Sequence, residues 1–156
     1  MDTIIIKQII CAAIGAAGFG FIYKLPGRYM PAAAIGGMLG WGVYAMVAKT
    51  MDSVFMQALA GGLAVAVFSE ILARLYKAPS TIFFVVSAIP LVPGKALYDF
   101  MNALAEGDYV MAASKGSEAL LIAAGIAGGM GLAWSLSNII RRTRLKITGA
   151  ANKSRA

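Results

Sequence analysis

The sequence predicts an all-α, polytopic membrane protein with five transmembrane helices, the fourth of them broken by proline. Three observations carry that expectation. Sixty per cent of the residues are hydrophobic and only 13% are charged, with a mean hydropathy of +0.76, a composition foreign to soluble domains. The apolar residues fall into runs of about 20, the length that crosses a hydrocarbon core. The basic residues gather behind the last of these runs, as topology signals do. In 156 residues such a plan leaves short loops and no sizeable soluble domain. Residues 1–147 are read as the membrane domain and 148–156 as a cytoplasmic basic tail.

The first helix runs from about Ile4 to Tyr23. Asp2 at its front and the lack of a basic leader argue for an uncleaved span over a signal peptide, and Pro26 and Gly27 punctuate the loop that follows. The second helix, about Pro31 to Ala48, carries Gly36 and Gly40 at small-xxx-small spacing; the third, about Val54 to Tyr76, offers Ala58, Gly61 and Gly62 for close helix approach. The fourth is the apolar run from Ala78 to Lys95. Pro90 and Pro93 lack the backbone donor, which frees carbonyls around Val86 and Ile89. Freed groups are tolerated at membrane depth only inside protein or beside a wet cavity. After the break, Ala96 to Gly107 mixes Leu97, Tyr98, Phe100, Met101 and Leu104 with Asp99, Asn102 and Glu106, which suggests an amphipathic helix. The fifth span runs from about Ser117 to Ile140, with Gly125 and Gly129 in a G-x-x-x-G.

The net charge is +7, and Arg141, Arg142, Arg144, Lys146, Lys153 and Arg155 supply six of the fourteen basic residues. Directly behind an apolar helix, that cluster reads as a cytoplasmic signal that also meets anionic headgroups, not as a nucleic-acid site. Five crossings put Lys24, Arg28, Arg74 and Lys77 on the same side as the tail. The N-terminus is then outside and the C-terminus cytoplasmic. Four crossings with a re-entrant fourth stretch reverse those four residues, so the charge distribution prefers five.

There is no histidine and a single cysteine, Cys11, which excludes disulfide scaffolds and Cys/His metal sites within the chain. No phosphate-binding loop or catalytic constellation appears, so the expectation is not an enzyme, with no metal and no cofactor. The phenylalanines and methionines read as packing bulk.

The polar residues that remain form a transport-like set. Glu70 is the acid well inside a span, where an uncompensated carboxylate costs several kcal/mol and marks a functional hypothesis. It either takes a proton or cation, or pairs with Arg74 one turn on. Lys95 follows the Pro93-Gly94 break with Tyr98 and Asp99 beyond it. It either holds a substrate carboxylate at a new helix N-terminus or forms a surface pair with Asp99. Ser80, Thr81 and Ser87 add hydroxyls, which in spans also bond back to the preceding turn. Placed near the outer face, Lys95 would guard release, leaving central contacts to Ser87 and the freed carbonyls.

At Ala78-Pro79-Ser80-Thr81, then Ile89-Pro90-Leu91-Val92-Pro93-Gly94, with Tyr98 shortly after and a Glu106-Gly107-Asp108 turn, the chain resembles the threonine/serine exporter family, specifically its small split subunit corresponding to the C-terminal half. The likeness covers roughly Ile9 to Ile140, and the family's motif maps onto Pro79, Ser80, Thr81, Pro90, Pro93 and Gly94. It implies export of small hydrophilic metabolites, threonine/serine-type amino acids or dicarboxylates such as succinate, across the bacterial inner membrane. It also implies a larger partner subunit carrying the N-terminal half. Two other functions stand beside this one: a non-transporting scaffold whose helices dock a partner through Gly36/Gly40 and Gly125/Gly129, and a small homo-oligomeric channel.

Overall fold

The computed structural model describes residues 2–153, with side chains over 3–139. Six α-helices follow one another: α1 (Asp2–Ile22), α2 (Met30–Val47), α3 (Val54–Tyr76), α4 (Ser80–Ala88), α5 (Gly94–Glu106) and α6 (Tyr109–Lys153). One-turn 3₁₀ segments at Gly27–Tyr29 and Ile89–Leu91 precede α2 and follow α4. Among the described residues there is no strand, and the chain is an all-α polytopic membrane protein.

Four segments are long and apolar enough to cross a bilayer alone: Thr3–Ile22, Gly27–Val47, Val54–Tyr76 and Tyr109–Ile139. The fifth is composite. Ser80–Leu91 and Gly94–Glu106 meet at a bend of 51°, and the first piece by itself is well short of the roughly 20 residues a span needs. Helix register decides how this pair lies. A Cβ on Gly125 would stand 2.6 Å from the Phe55 carbonyl oxygen, and one on Gly129 2.5 Å from that of Leu59. Further along, Ser137 bonds Glu70. The numbers rise together on both helices, so α6 runs parallel to α3. Since α5 feeds α6 through two residues, α4 and α5 together carry the chain from the C-terminal end of α3 to its N-terminal end. The pair is one broken crossing, not a loop that returns to the side it left.

The same register shows that α6 begins about 20 Å ahead of α3 at 1.5 Å per residue. The sequence predicts this span from about Ser117. Instead Gly107 adopts a left-handed φ of 79°, closing α5, and the Asp108 carboxylate accepts the Met111 backbone N–H at 2.9 Å, starting α6 as N-cap residues do. Phe100 of α5 then packs over Gly116, where a Cβ would come within 3.2 Å of its ring. At the other end the helical backbone continues through Lys153, past the Thr148 at which the tail was expected to begin. The basic side chains from Arg141 onward lie outside the described residues.

Two other helices end on lysine. Lys24 and Lys77 hold φ near 50°. The Leu25 N–H reaches back to the Gly20 carbonyl at 2.8 Å and the Ala78 N–H to that of Ala73 at 3.1 Å, the six-to-one bond of a Schellman ending. Gly27, expected with Pro26 to punctuate the first loop, opens the 3₁₀ turn that follows it.

In lipid, burying an apolar side chain against another helix gains little hydrophobic energy, so close packing holds the bundle together. Gly40 admits Val65, Gly36 admits the Ser87 side chain, and Gly125 and Gly129 set the α6 backbone on that of α3. These four glycines are consumed inside the chain. The scaffold alternative, which needed them free for a partner, loses its docking faces. At the C-terminal end of α3, Tyr29, Tyr76 and Phe83 form a knot with ring centroids 5.1–5.9 Å apart, and Phe83 is 0% exposed.

Candidate functional site

The Schellman ending at Lys77 turns the chain from α3 into α4 within three residues, and Pro79, extended at φ −61° and ψ 134°, delivers Ser80 as the first residue of the new helix. That tight return brings the start of α4 beside the last turns of α3. Packed along α3, α6 completes a cavity of about 450 Å³, open on one side. Its walls include Ser69 and Glu70 from α3, Ser80, Thr81 and Phe84 from α4, and Met130, Gly131 and Trp134 from α6.

Glu70 is half-buried and supplies the carboxylate of this cavity. Its oxygen Oε2 accepts a hydrogen bond from the Ser137 hydroxyl at 2.9 Å, and the same hydroxyl accepts one from the Arg74 guanidinium at 3.1 Å. Glu70 and Arg74 are therefore linked through α6, and no direct ion pair joins them among the described residues. The Ser69 hydroxyl donates to the Val65 carbonyl at 2.8 Å, a back-bond within its own helix. Ser80 and Thr81 bring further hydroxyls, and the remaining wall is mostly apolar. A carboxylate beside hydroxyls and an indole can hold a cationic or hydrogen-bonding group.

The other sequence-derived site residues lie elsewhere. Ser87 is fully buried; its hydroxyl donates to the Ala33 carbonyl at 3.4 Å and seats against Gly36. Pro90 packs toward Gly37. The Ile89 carbonyl is not free as the prolines implied, since it accepts the Val92 N–H at 3.1 Å; the Val92 carbonyl accepts the Gly94 N–H at 2.7 Å. A 3₁₀ turn has taken up the Ile89 carbonyl and packing has taken up Ser87, so neither is open for the central contact expected of it. Lys95, its side chain 88% exposed, pairs with Asp99 at 2.8 Å, and Tyr98 is exposed. Pro93 lines a separate apolar hollow of about 560 Å³ between α5 and α6 with Leu97, Phe100 and Leu120. The structure thus joins Glu70 to Ser80 and Thr81 and separates them from the whole Pro90–Asp99 group.

Trp134 and Ser137 entered no sequence-based site. Their spacing with Ala127 and Met130, three or four residues apart, places them on one helix face. On a helix apolar all round, that face is indistinguishable from a packing stripe.

Several spans around a proline-broken crossing, with a carboxylate-bearing cavity at its mouth, describe a membrane transporter of the discontinuous-helix kind. The chain belongs to the threonine/serine exporter family: the model of that family, Threonine/Serine exporter, ThrE, matches residues 8–136. Its role is membrane transport of the threonine/serine-exporter type, and the family is one of transporters rather than enzymes. No solved structure matches the chain.

Proposed function

We propose that this chain is the membrane subunit of a two-component exporter and that the cavity at Glu70 is where its substrate enters. The observation that carries this reading is the convergence of Glu70, Ser80 and Thr81 with Trp134 around one opening, close to the basic end of the bundle. With the basic end cytoplasmic, as the charge distribution favours, the cavity faces the compartment from which an exporter loads. The proposed location is the bacterial inner membrane, and the larger subunit carrying the N-terminal half would close the open side.

The chemistry of the wall selects among substrates. In surroundings of low dielectric the Glu70 carboxylate attracts an ammonium group and repels a second carboxylate several-fold more strongly than in water. A threonine- or serine-type amino acid fits with its ammonium toward Glu70 and its hydroxyl toward Ser80 and Thr81. A dicarboxylate such as succinate meets the Glu70 carboxylate as a like charge and fits this wall less well.

Labelled threonine and succinate, offered to inverted vesicles from cells expressing the chain with its larger subunit, test this. Glu70→Gln is expected to cut threonine transport about tenfold or more, the loss of one charge-assisted contact. Unchanged threonine transport would remove Glu70 from the substrate path. Transport of succinate that improves in the variant would make the dicarboxylate the substrate. Threonine transport by the purified chain alone in liposomes would refute the need for a partner.

A further inference from the structure

We propose that Ser137 is a positioning residue for Glu70: its hydroxyl holds the carboxylate out of an ion pair with Arg74 and so keeps the charge available to the cavity. The inference rests on the reading that Glu70 meets the substrate.

Glu70 and Arg74 stand one turn apart on α3, in the order that favours an acid–base pair along a helix. Arg74 is exposed, but Glu70 is half-buried against a mostly apolar wall, where that attraction is stronger than in water, so α3 by itself favours the closed pair. The structure interposes a hydroxyl instead. Ser137 has one proton to give and lone pairs to receive with; the proton goes to Glu70 Oε2 at 2.9 Å, and a lone pair takes the Arg74 Nη2 donor at 3.1 Å. The hydroxyl arrives from a helix more than 60 residues away in sequence, held there by the close α3–α6 contact at Gly125 and Gly129.

The other surroundings of Glu70 offer no rival charge among the described residues. From α4 come the hydroxyls of Ser80 and Thr81, and from α6 the indole of Trp134. Arg141, one turn past Ser137, lies beyond the described side chains. With the hydroxyl removed, no other described side chain separates the acid from the guanidinium. The two close on each other and the cavity loses its anionic end.

The test measures KM and maximal rate for labelled threonine in inverted vesicles carrying the full chain and its larger subunit. Ser137→Ala is expected to raise KM about tenfold, as loss of a charge-assisted contact does, with the maximal rate little changed. Ser137→Thr keeps the hydroxyl and restores the native KM. Arg74→Gln placed in the Ser137→Ala chain removes the competing cation and also restores it, an outcome that a packing defect at position 137 would not produce. A native KM in Ser137→Ala, or failure of both rescues, overturns the proposal. If Ser137→Ala does not accumulate in membranes, Arg74→Gln alone decides: a KM at or below the native value supports the role, and a rise of about tenfold refutes it. Glu70→Gln separates the two readings. Normal threonine transport by that variant sinks the substrate site and this role with it, whereas impaired Glu70→Gln beside a normal Ser137→Ala sinks only the role of Ser137.

Discussion

Single atoms decide the contact between α3 and α6. At Gly129 a Cβ would lie 2.5 Å from both the Leu59 carbonyl oxygen and the Leu63 nitrogen, backbone atoms that cannot rotate aside as a side chain can. Two residues on, Gly131 faces open space. Gly129→Ala is therefore expected to destabilise the bundle by about 1–3 kcal/mol, the usual cost of forced overpacking, while Gly131→Ala is neutral or slightly stabilising through helix propensity. Thermal unfolding of the two variants in detergent checks the contrast; equal stability would mean that the backbone contact yields. The motif Gly125-x-x-x-Gly129 is plain in the sequence, but whether it serves this chain or a partner is not, because small-residue faces look alike in both uses.

Among the elements, the broken crossing departs most from what its residues suggest. Two prolines three apart announce a break, and the break is there; yet the Ile89 carbonyl is bonded, because a 3₁₀ turn shifts acceptance to the Val92 N–H. The break therefore acts through direction. The 51° bend swings α5 onto the first half of α6, where Phe100 meets Gly116. Replacing Pro90 and Pro93 together by alanine favours a continuous helix by about 3 kcal/mol per site. Cysteines placed at Phe100 and Gly116, which should cross-link readily in the native background, are expected to lose that cross-link, and threonine transport to fall with it. Retained cross-linking would show that α5 is held by its contacts with α6 regardless of the bend.

For the whole molecule the arrangement of ends follows from the parallel run of α3 and α6. The loops at residues 23–26 and 77–79 and the C-terminal part of α6 share one end; the α2–α3 and α5–α6 loops share the other. Lys24, Arg28, Arg74 and Lys77 then fall at the first end, the end at which α6 carries the sequence into its basic run. Reporter fusions after Lys77 and after Ala156 are expected to read cytoplasmic, and one at Gly107 external. An external signal after Ala156 would invert the orientation and, with it, the loading side of the cavity.

Composition and the length of its apolar runs were enough to determine that this chain spans a membrane as helices, since in hydrocarbon no other open backbone can satisfy its hydrogen bonds. Val54–Tyr76 was legible to the residue because polar loops flank it. Glu70 was legible as an anomaly for the same reason, one carboxylate amid apolar neighbours. What the sequence could not rank was the company Glu70 keeps. Arg74, one turn away, was the local partner that helix spacing offered; Lys95 and Ser87 stood as further site candidates because polar residues near a proline break resemble one another in a list of letters. Tertiary packing chose Ser80, Thr81, Trp134 and Ser137 for Glu70 and sent Ser87 and Lys95 elsewhere. It did so through contacts that no local pattern encodes: the left-handed turn at Lys77 that folds α4 back beside α3, and the glycines that let α6 lie close enough to place one hydroxyl between an acid and a base.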